Sequence, residues 1–450
     1  MELLNINIYI FFYITILFCF SEHKNYKKKY NNFINYNKRF RRNILFQNYQ
    51  DKFSKNISFY HKEGKRSIYH FDNEKNARKK RMVKSIFKEK WELPIPYYVD
   101  HGVDTKIIDL SLSIIQKKTC VKFVKFLTMP FGLSGIRYYK GDGCSSRIGK
   151  KEGRVWQNIS IGVGCEYIQI IQHETMHALG IHHAISRYDR DKYLSLIKQN
   201  IKPDYLGEFK KVSLKHSRTF GVPVDFGSIM MYRVDHFSRP EKLVALPHDK
   251  LYMKTMGNQE NMAFTDAMLI NKYYCKNVCP KKITCMNGGY QDPNNCDNCK
   301  CIKGFTGRWC QLVSPPLTNC EKSLIIVKDE ITLFEQQGRK KCLYHVFCKK
   351  NKNVAIYIVK SGFFPNKGIK CKTNNSLEVK YWNDKRPVGA RFCKVDKNIL
   401  ILTENNHGMI YFRSTFLYNY VTILLKSVVY GYKKEILKNE FIKEKIKMNL

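Results

Sequence analysis

From Trp91 onward the apolar residues fall into two rhythms, one helical and one alternating. In 104–115 (DTKIIDLSLSII), Ile108, Leu112 and Ile115 share one helical face, and Ile107, Leu110 and Ile114 share a second. Asp104 stands where it can cap the first turn. Pro94–Val99 and Thr119–Phe126 (TCVKFVKF) read as strands. Helix and strand patterns mixed in one block predict an α+β domain over 82–275. Past residue 320 the pattern changes to short β-branched and aromatic runs, such as 353–359 (NVAIYIV) and 422–429 (TILLKSVV). These predict a β-sandwich over 320–430. The Lys-rich tail 431–450 reads as a short surface helix or a frayed end. At the other end, the apolar stretch 7–20 (NIYIFFYITILFCF) is short for a membrane span and suits a signal-peptide core. With Cys19-Phe20-Ser21 as the cleavage signal, residues 1–21 are expected to be a signal peptide. No later stretch reaches the roughly 18 apolar residues of a membrane span, so no transmembrane segment is expected in the mature chain.

Composition and charge sharpen this picture. The chain has 450 residues, 44% hydrophobic and 26% charged, which excludes a wholly disordered protein. Its net charge of +41 is uneven, since 22–81 holds 18 Lys and Arg against 5 Asp and Glu. That segment ends in Arg78-Lys79-Lys80-Arg81, the pattern cut by secretory proprotein convertases, so 22–81 is read as a basic pro-segment removed after Arg81. Elsewhere the excess is spread thinly as Lys, and no specific nucleic-acid partner is expected. The 16 cysteines cluster by segment, which points to an oxidising compartment and a secreted, extracellular protein. Asn56, Asn158 and Asn374 open N-x-Ser sequons and are glycosylation candidates.

The chemistry concentrates in 173–193. His173 and His177 are four apart on a presumed helix, so both imidazoles leave one face and can share a Zn²⁺. Glu174 adjoins the first ligand and is placed to reach water at the metal rather than the metal itself. Gly180 can turn the chain with a positive φ, and His183 then supplies a third nitrogen. Three neutral histidines leave one tetrahedral position open, as in a catalytic rather than a structural zinc site. One zinc per chain is therefore expected. The string His-Glu-x-x-His-x-x-Gly-x-x-His is the metzincin signature. Spacing from Gly180 selects His183 over its neighbour His182. Downstream, Phe226-Gly227-Ser228-Ile229-Met230-Met231-Tyr232 reads as a tight turn with Met230 as an apolar floor beneath the histidines.

With these motifs, residues 82–275 resemble the astacin family of zinc endopeptidases. The likeness extends through Gly180-Ile181-His182-His183, Arg187-Tyr188-Asp189-Arg190-Asp191-Lys192-Tyr193 and Ser228-Ile229-Met230-Met231-Tyr232. The resemblance implies Glu174 as general base, and Tyr232 as a mobile fifth zinc ligand that donates to the oxyanion. It implies disulfides Cys120–Cys275 and Cys144–Cys165. Three positions depart from the family. Ala184 replaces a Glu that anchors the new N-terminus, and Met231 replaces a His. Gly257-Asn258-Gln259 replaces Gly-Gln-Arg, so the family's preference for acidic residues after the scissile bond is not carried over. In the pro-segment, Asp72 after Phe71 is the nearest match to the family's zinc-blocking Asp.

Residues 276–311 resemble an EGF-like module, which implies Cys279–Cys296, Cys285–Cys299 and Cys301–Cys310. Residues 320–430 resemble a CUB domain, which implies Cys320–Cys342 and Cys371–Cys393 and leaves Cys348 unpaired. The whole reads as a multidomain protein: an astacin-like α+β catalytic domain, a disulfide-rich EGF-like module and a CUB-like β-sandwich. This order resembles nematode astacins. The expected function is hydrolysis of protein substrates, such as matrix or cuticle proteins, with the two accessory modules binding matrix or partner proteins. The alternative is a non-enzymatic matrix-binding or adhesion protein that keeps the zinc domain as scaffold.

Overall fold

A computed structural model describes residues 81–84, 90–240, 242–365 and 371–450. The expected signal peptide, Asp72, Asn56 and the rest of the pro-segment before Arg81 lie outside the described residues. The peptidase-like region starts with strand β1 (Arg81–Lys84) and continues with β2 (Ile95–Val99), helix α1 (Thr105–Lys118), β3 (Phe123–Lys125), β4 (Gly135–Tyr139), β5 (Cys144–Ser146) and β6 (Trp156–Ile161). Helix α2 (Ile168–Ala178), β7 (Leu194–Leu196), β8 (Ser217–Arg218), β9 (Ala245–Pro247) and helix α3 (Phe264–Tyr274) complete it. Five strands form a sheet in the order β3-β2-β4-β6-β5, parallel except for the antiparallel edge strand β5.

Local sequence accounts for α1. The Asp104 side chain accepts from Lys106 N and caps it, and Lys117 and Lys118 sit favourably in its last turn. Of the two apolar faces, Ile108, Leu112 and Ile115 enter the core, whereas Leu110 is 49% exposed. The strand expected over Thr119–Phe126 shrinks to β3. Cys120 is tied to Cys275 just past α3, and the Asn271 side chain takes up the Cys120 N–H, so that backbone leaves the ladder.

Residues 276–313 form a module with three bridges, Cys279–Cys296, Cys285–Cys299 and Cys301–Cys310. Its two small ladders join β10 (Tyr290–Gln291) to β11 (Cys299–Lys300) and β12 (Phe305–Thr306) to β13 (Leu312–Val313). So small a unit has little core of its own, and covalent bridges take that role. It leans on both neighbours. Tyr290 packs on Phe264 of α3, while Ile302 and Phe305 share a buried cluster with Met409 and Tyr411.

The last region is a two-sheet sandwich. Its strands are β14 (Leu324–Ile326), β15 (Thr332–Gln337), β16 (Lys341–Phe347), β17 (Lys352–Gly362), β18 (Ser376–Lys380), β19 (Ala390–Phe392), β20 (Asp396–Leu402), β21 (His407–Arg413) and β22 (Tyr420–Val429). One sheet runs β14-β16-β21-β18-β19 and the other β15-β22-β17-β20. Bridges Cys320–Cys342 and Cys371–Cys393 tie its edges, and Cys348 is a buried free thiol. The Lys-rich tail is a surface helix rather than a frayed end, and it is anchored. It forms α4 (Lys434–Lys447), which buries Leu437 and Phe441 against the outer face of the second sheet, with Phe441 stacked on Tyr357 at 5.2 Å. Buried residues of the peptidase-like region and of the sandwich belong to one continuous apolar cluster.

Candidate metal centre

Helix α2 carries the first half of the site. His173, Glu174 and His177 lie on it, and the bridge Cys144–Cys165 ties the segment before it to β5. Just past the helix, Gly180 adopts φ +98° and Ile181 N returns to Met176 O at 3.0 Å. Such a positive φ favours glycine, and the turn it makes brings His183 back over the helix. Two buried arginines then fix the following loop. Arg187 pairs with Asp189 at 2.8 Å, and Arg190 donates to Ile185 O at 3.0 Å and to Phe209 O.

The ligand atoms of His173, His177 and His183 all lie within 4.8 Å of one another. His183 Nε2 stands 3.1 Å from His173 Nε2 and 3.0 Å from His177 Nε2. The opposite nitrogens fix the tautomers. His173 Nδ1 donates to Ile229 O and His177 Nδ1 to Ile181 O, both at 2.7 Å. Their Nε2 atoms therefore carry lone pairs aimed at a shared point. Burial holds His173 down at about 4 and His177 at about 3, and it lowers His183 well below its ordinary value, so all three imidazoles are neutral at physiological pH. Convergent neutral lone pairs repel unless a cation lies between them, and an all-nitrogen set with backbone-oriented imidazoles suits zinc. Glu174, 5% exposed, presents a buried Oε2 with no hydrogen-bond partner, and burial pushes its carboxyl up to about 7.

The second half is the turn 225–232. Met230 is fully buried, and its carbonyl accepts from Ala184 N at 2.7 Å, which joins the turn to the residue after His183. Tyr232 is set differently from the expected fifth ligand. Its hydroxyl lies 2.8 Å from His183 Nδ1 and 3.4 Å from Glu208 Oε2, so in this conformation it orients the far side of the ring instead of standing among the Nε2 atoms. Burial, with the Glu208 carboxylate nearby, pushes its phenol pKa up and keeps the proton on.

Sequence reasoning missed the residues that hold this turn. Asp266 on α3 accepts from Ser228 Oγ at 2.5 Å and from Ile229 N at 3.1 Å, and burial pushes it up to about 6. Asp225 accepts from Gly227 N at 2.8 Å and from Thr265 Oγ1 at 2.6 Å. No motif flags either residue. Outside the site, Asn158 on β6 and Asn374 before β18 are exposed.

Residues 83–275 match the peptidase family described as Astacin. The chain is 34% identical over 338 residues to zinc metalloproteinase nas-34 of Caenorhabditis elegans, covering 74% of this chain and 55% of that protein. It is 33% identical over 356 residues to zinc metalloproteinase nas-36 of Brugia malayi, covering 76% and 60% respectively. The chain thus spans little more than half the length of these relatives. Among solved structures it is similar to high choriolytic enzyme 1, a hatching-enzyme zinc-protease from Oryzias latipes. That match has 30% identity and a TM-score of 0.38, and covers 42% of this chain and 94% of that one.

Proposed function

The chain belongs to the astacin family through residues 83–275, and from that premise we propose that it is a secreted, zinc-dependent endopeptidase acting on extracellular proteins. The observation that carries this reading is the convergence of three neutral Nε2 atoms beside the unpartnered carboxylate of Glu174. His173, His177 and His183 would hold the metal. Zinc there supplies a Lewis acid that acidifies water and polarises the scissile carbonyl. Glu174 takes the proton from the attacking water and passes it to the leaving amine, a task suited to a carboxyl pushed up to about 7. Tyr232 keeps His183 in register and, on rotating away from Nδ1, donates to the oxyanion. Strand β5, at the free edge of its sheet, offers unpaired backbone to an extended peptide.

We read 276–311 as EGF-like and 320–430 as CUB-like, binding substrate, matrix or partner proteins. Asp72 is proposed as the zinc-blocking group of the pro-segment and Arg81 as its cleavage site. The direct test is cleavage of denatured collagen and unrelated proteins after release of 22–81, with and without a zinc chelator. Cleavage that the chelator stops and zinc restores is expected. Zinc-loaded protein that binds matrix and cleaves nothing would establish the adhesion reading instead.

A further inference from the structure

The turn bearing Met230 and Tyr232 is gripped from outside the peptidase-like region. Asp225 Oδ1, which accepts from Gly227 N within the turn, also accepts from Val388 N of the sandwich at 3.0 Å. Val388 occupies the space that a side chain at Gly227 would need, since an added Cβ would stand 2.5 Å from Val388 Cβ. Phe226, 1% exposed, packs against both Tyr252 and Trp382, with ring centroids 5.3 and 6.1 Å away. Trp382 also lies 4.4 Å from Tyr252 and donates from Nε1 to Asp249 at 3.1 Å.

A second layer backs the first. Segment 249–259 lies between the turn and the sandwich. Gly257 N donates to Phe226 O at 3.0 Å. Gly257, at φ +67°, approaches the backbone so closely that an added Cβ would lie 2.4 Å from Arg233 N and 2.6 Å from Tyr232 C. From the sandwich side, Arg391, 1% exposed, donates to Asn258 O at 2.5 Å and to Gln259 Oε1 at 2.6 Å. Thr255 Oγ1 donates to Gly389 O at 3.0 Å and accepts from Arg391 N at 2.9 Å. The Thr255 bonds are buried and those of Arg391 and Val388 partly so, beside an apolar cluster continuous across the joint, whereas domains that move freely meet through smaller, wetter contacts.

We propose that the C-terminal sandwich is a working part of the peptidase site. Its 381–391 segment positions the 225–232 turn through Asp225 and the 249–259 segment, and so sets Met230 and Tyr232 against the three histidines. Trp382 and Arg391 are positioning residues, about which the ligand spacing says nothing. The proposal rests on the peptidase reading above. Its consequence is that the sandwich contributes to turnover even of substrates too short to reach it.

The test uses the full chain after release of 22–81. Trp382→Leu and Arg391→Met loosen the grip without touching the zinc ligands, Glu174 or Tyr232. With a short quenched peptide, each is expected to lower kcat about tenfold or more while KM stays within about threefold, because misplacement of about 1 Å can cost up to a hundredfold. With Co²⁺ in place of Zn²⁺, both variants should keep one metal per chain and show a shifted visible absorption band. Trp382→Phe, which keeps the aromatic packing, should restore both readouts. Phe441→Leu, on the opposite face of the sandwich, should lower the melting temperature and leave kcat and the band unchanged. Wild-type kcat and band in both Trp382→Leu and Arg391→Met would overturn the proposal, as would an equal loss in Phe441→Leu. A wild-type protein that cleaves nothing would sink the peptidase reading instead, and the cobalt bands would still decide whether the sandwich holds the site.

Discussion

At the scale of single residues, two groups near the histidines have separable roles. Glu174 touches no ligand nitrogen by hydrogen bond and offers a buried, unpartnered oxygen. Glu174→Gln preserves its shape and removes its basicity, so zinc content should stay at one per chain while kcat falls at least about a hundredfold. Metal analysis beside initial rates checks this, and unchanged turnover would remove Glu174 from the chemistry. Tyr232 is coupled to the metal set through His183 Nδ1 at 2.8 Å. Removing a partner that orients a ligating imidazole costs about tenfold or more in metal affinity. Losing an oxyanion donor costs about 10²–10³ in kcat. Tyr232→Phe is therefore expected to weaken zinc binding in competitive chelator titrations and, at saturating zinc, to lose kcat with little change in KM. Full kcat at saturating zinc would leave Tyr232 with the orienting role alone.

At the scale of elements, legibility depended on how local each cause is. The zinc string was readable because its residues lie on one helix and the turn that follows, where helical spacing and a glycine dictate direction. The core face of α1 was ambiguous. Two apolar stripes suited a helix equally well, and only packing chose Ile108, Leu112 and Ile115 over the stripe with Leu110. The seven bridges among the described residues join cysteines that only family likeness could pair, because spacing alone leaves many pairings open. Asp225, Asp266 and Arg391 were illegible because their partners lie 2 to 163 residues away in no repeating pattern. The packing of helix α4 hid for another reason. Its two fully buried side chains, Leu437 and Phe441, are one turn apart in a run of Lys and Glu that reads as solvated. That packing has a measurable consequence. Leu437→Ala should destabilise the sandwich by about 2–5 kcal/mol, the usual cost of truncating a buried Leu. A urea midpoint within error of wild type would show that α4 is dispensable.

At the scale of the whole molecule, the joint between the disulfide module and the sandwich is built on imidazoles that refuse protons. His345, fully buried, donates from Nε2 to Gly304 O at 2.9 Å, so its Nδ1 is left to accept from His407 Nε2 at 3.0 Å. Phe305 and Phe347 pack against the pair. Burial, helped by the charge of Lys385, pushes His345 down to about 4 and His407 well below its ordinary value. A histidine lowered in the folded state costs stability as pH falls. Below about 6.5 the unfolded chain takes up protons that the folded chain refuses until about 4, and His345 alone then accounts for roughly 3 kcal/mol. Glu378 adds a second loss further down. Burial opposes its ionisation, but Arg413, Arg391 and Lys380 outweigh that and hold it at about 2. Its contribution, present above about 4.5, disappears as pH falls from there towards 2. A net charge of +41 makes each further proton costlier through self-repulsion. Glu174 and Asp266, pushed up to about 7 and 6, take up protons more readily in the folded state and offset part of this loss, so the melting temperature should fall gently from pH 7 to pH 4 and more steeply below. Calorimetry across that range checks it. In His345→Gln the pH dependence between 6.5 and 4 should shrink by about one proton, while the part below 4 remains. A pH dependence left unchanged in His345→Gln would mean that the joint opens locally to admit protons, without the rest of the fold.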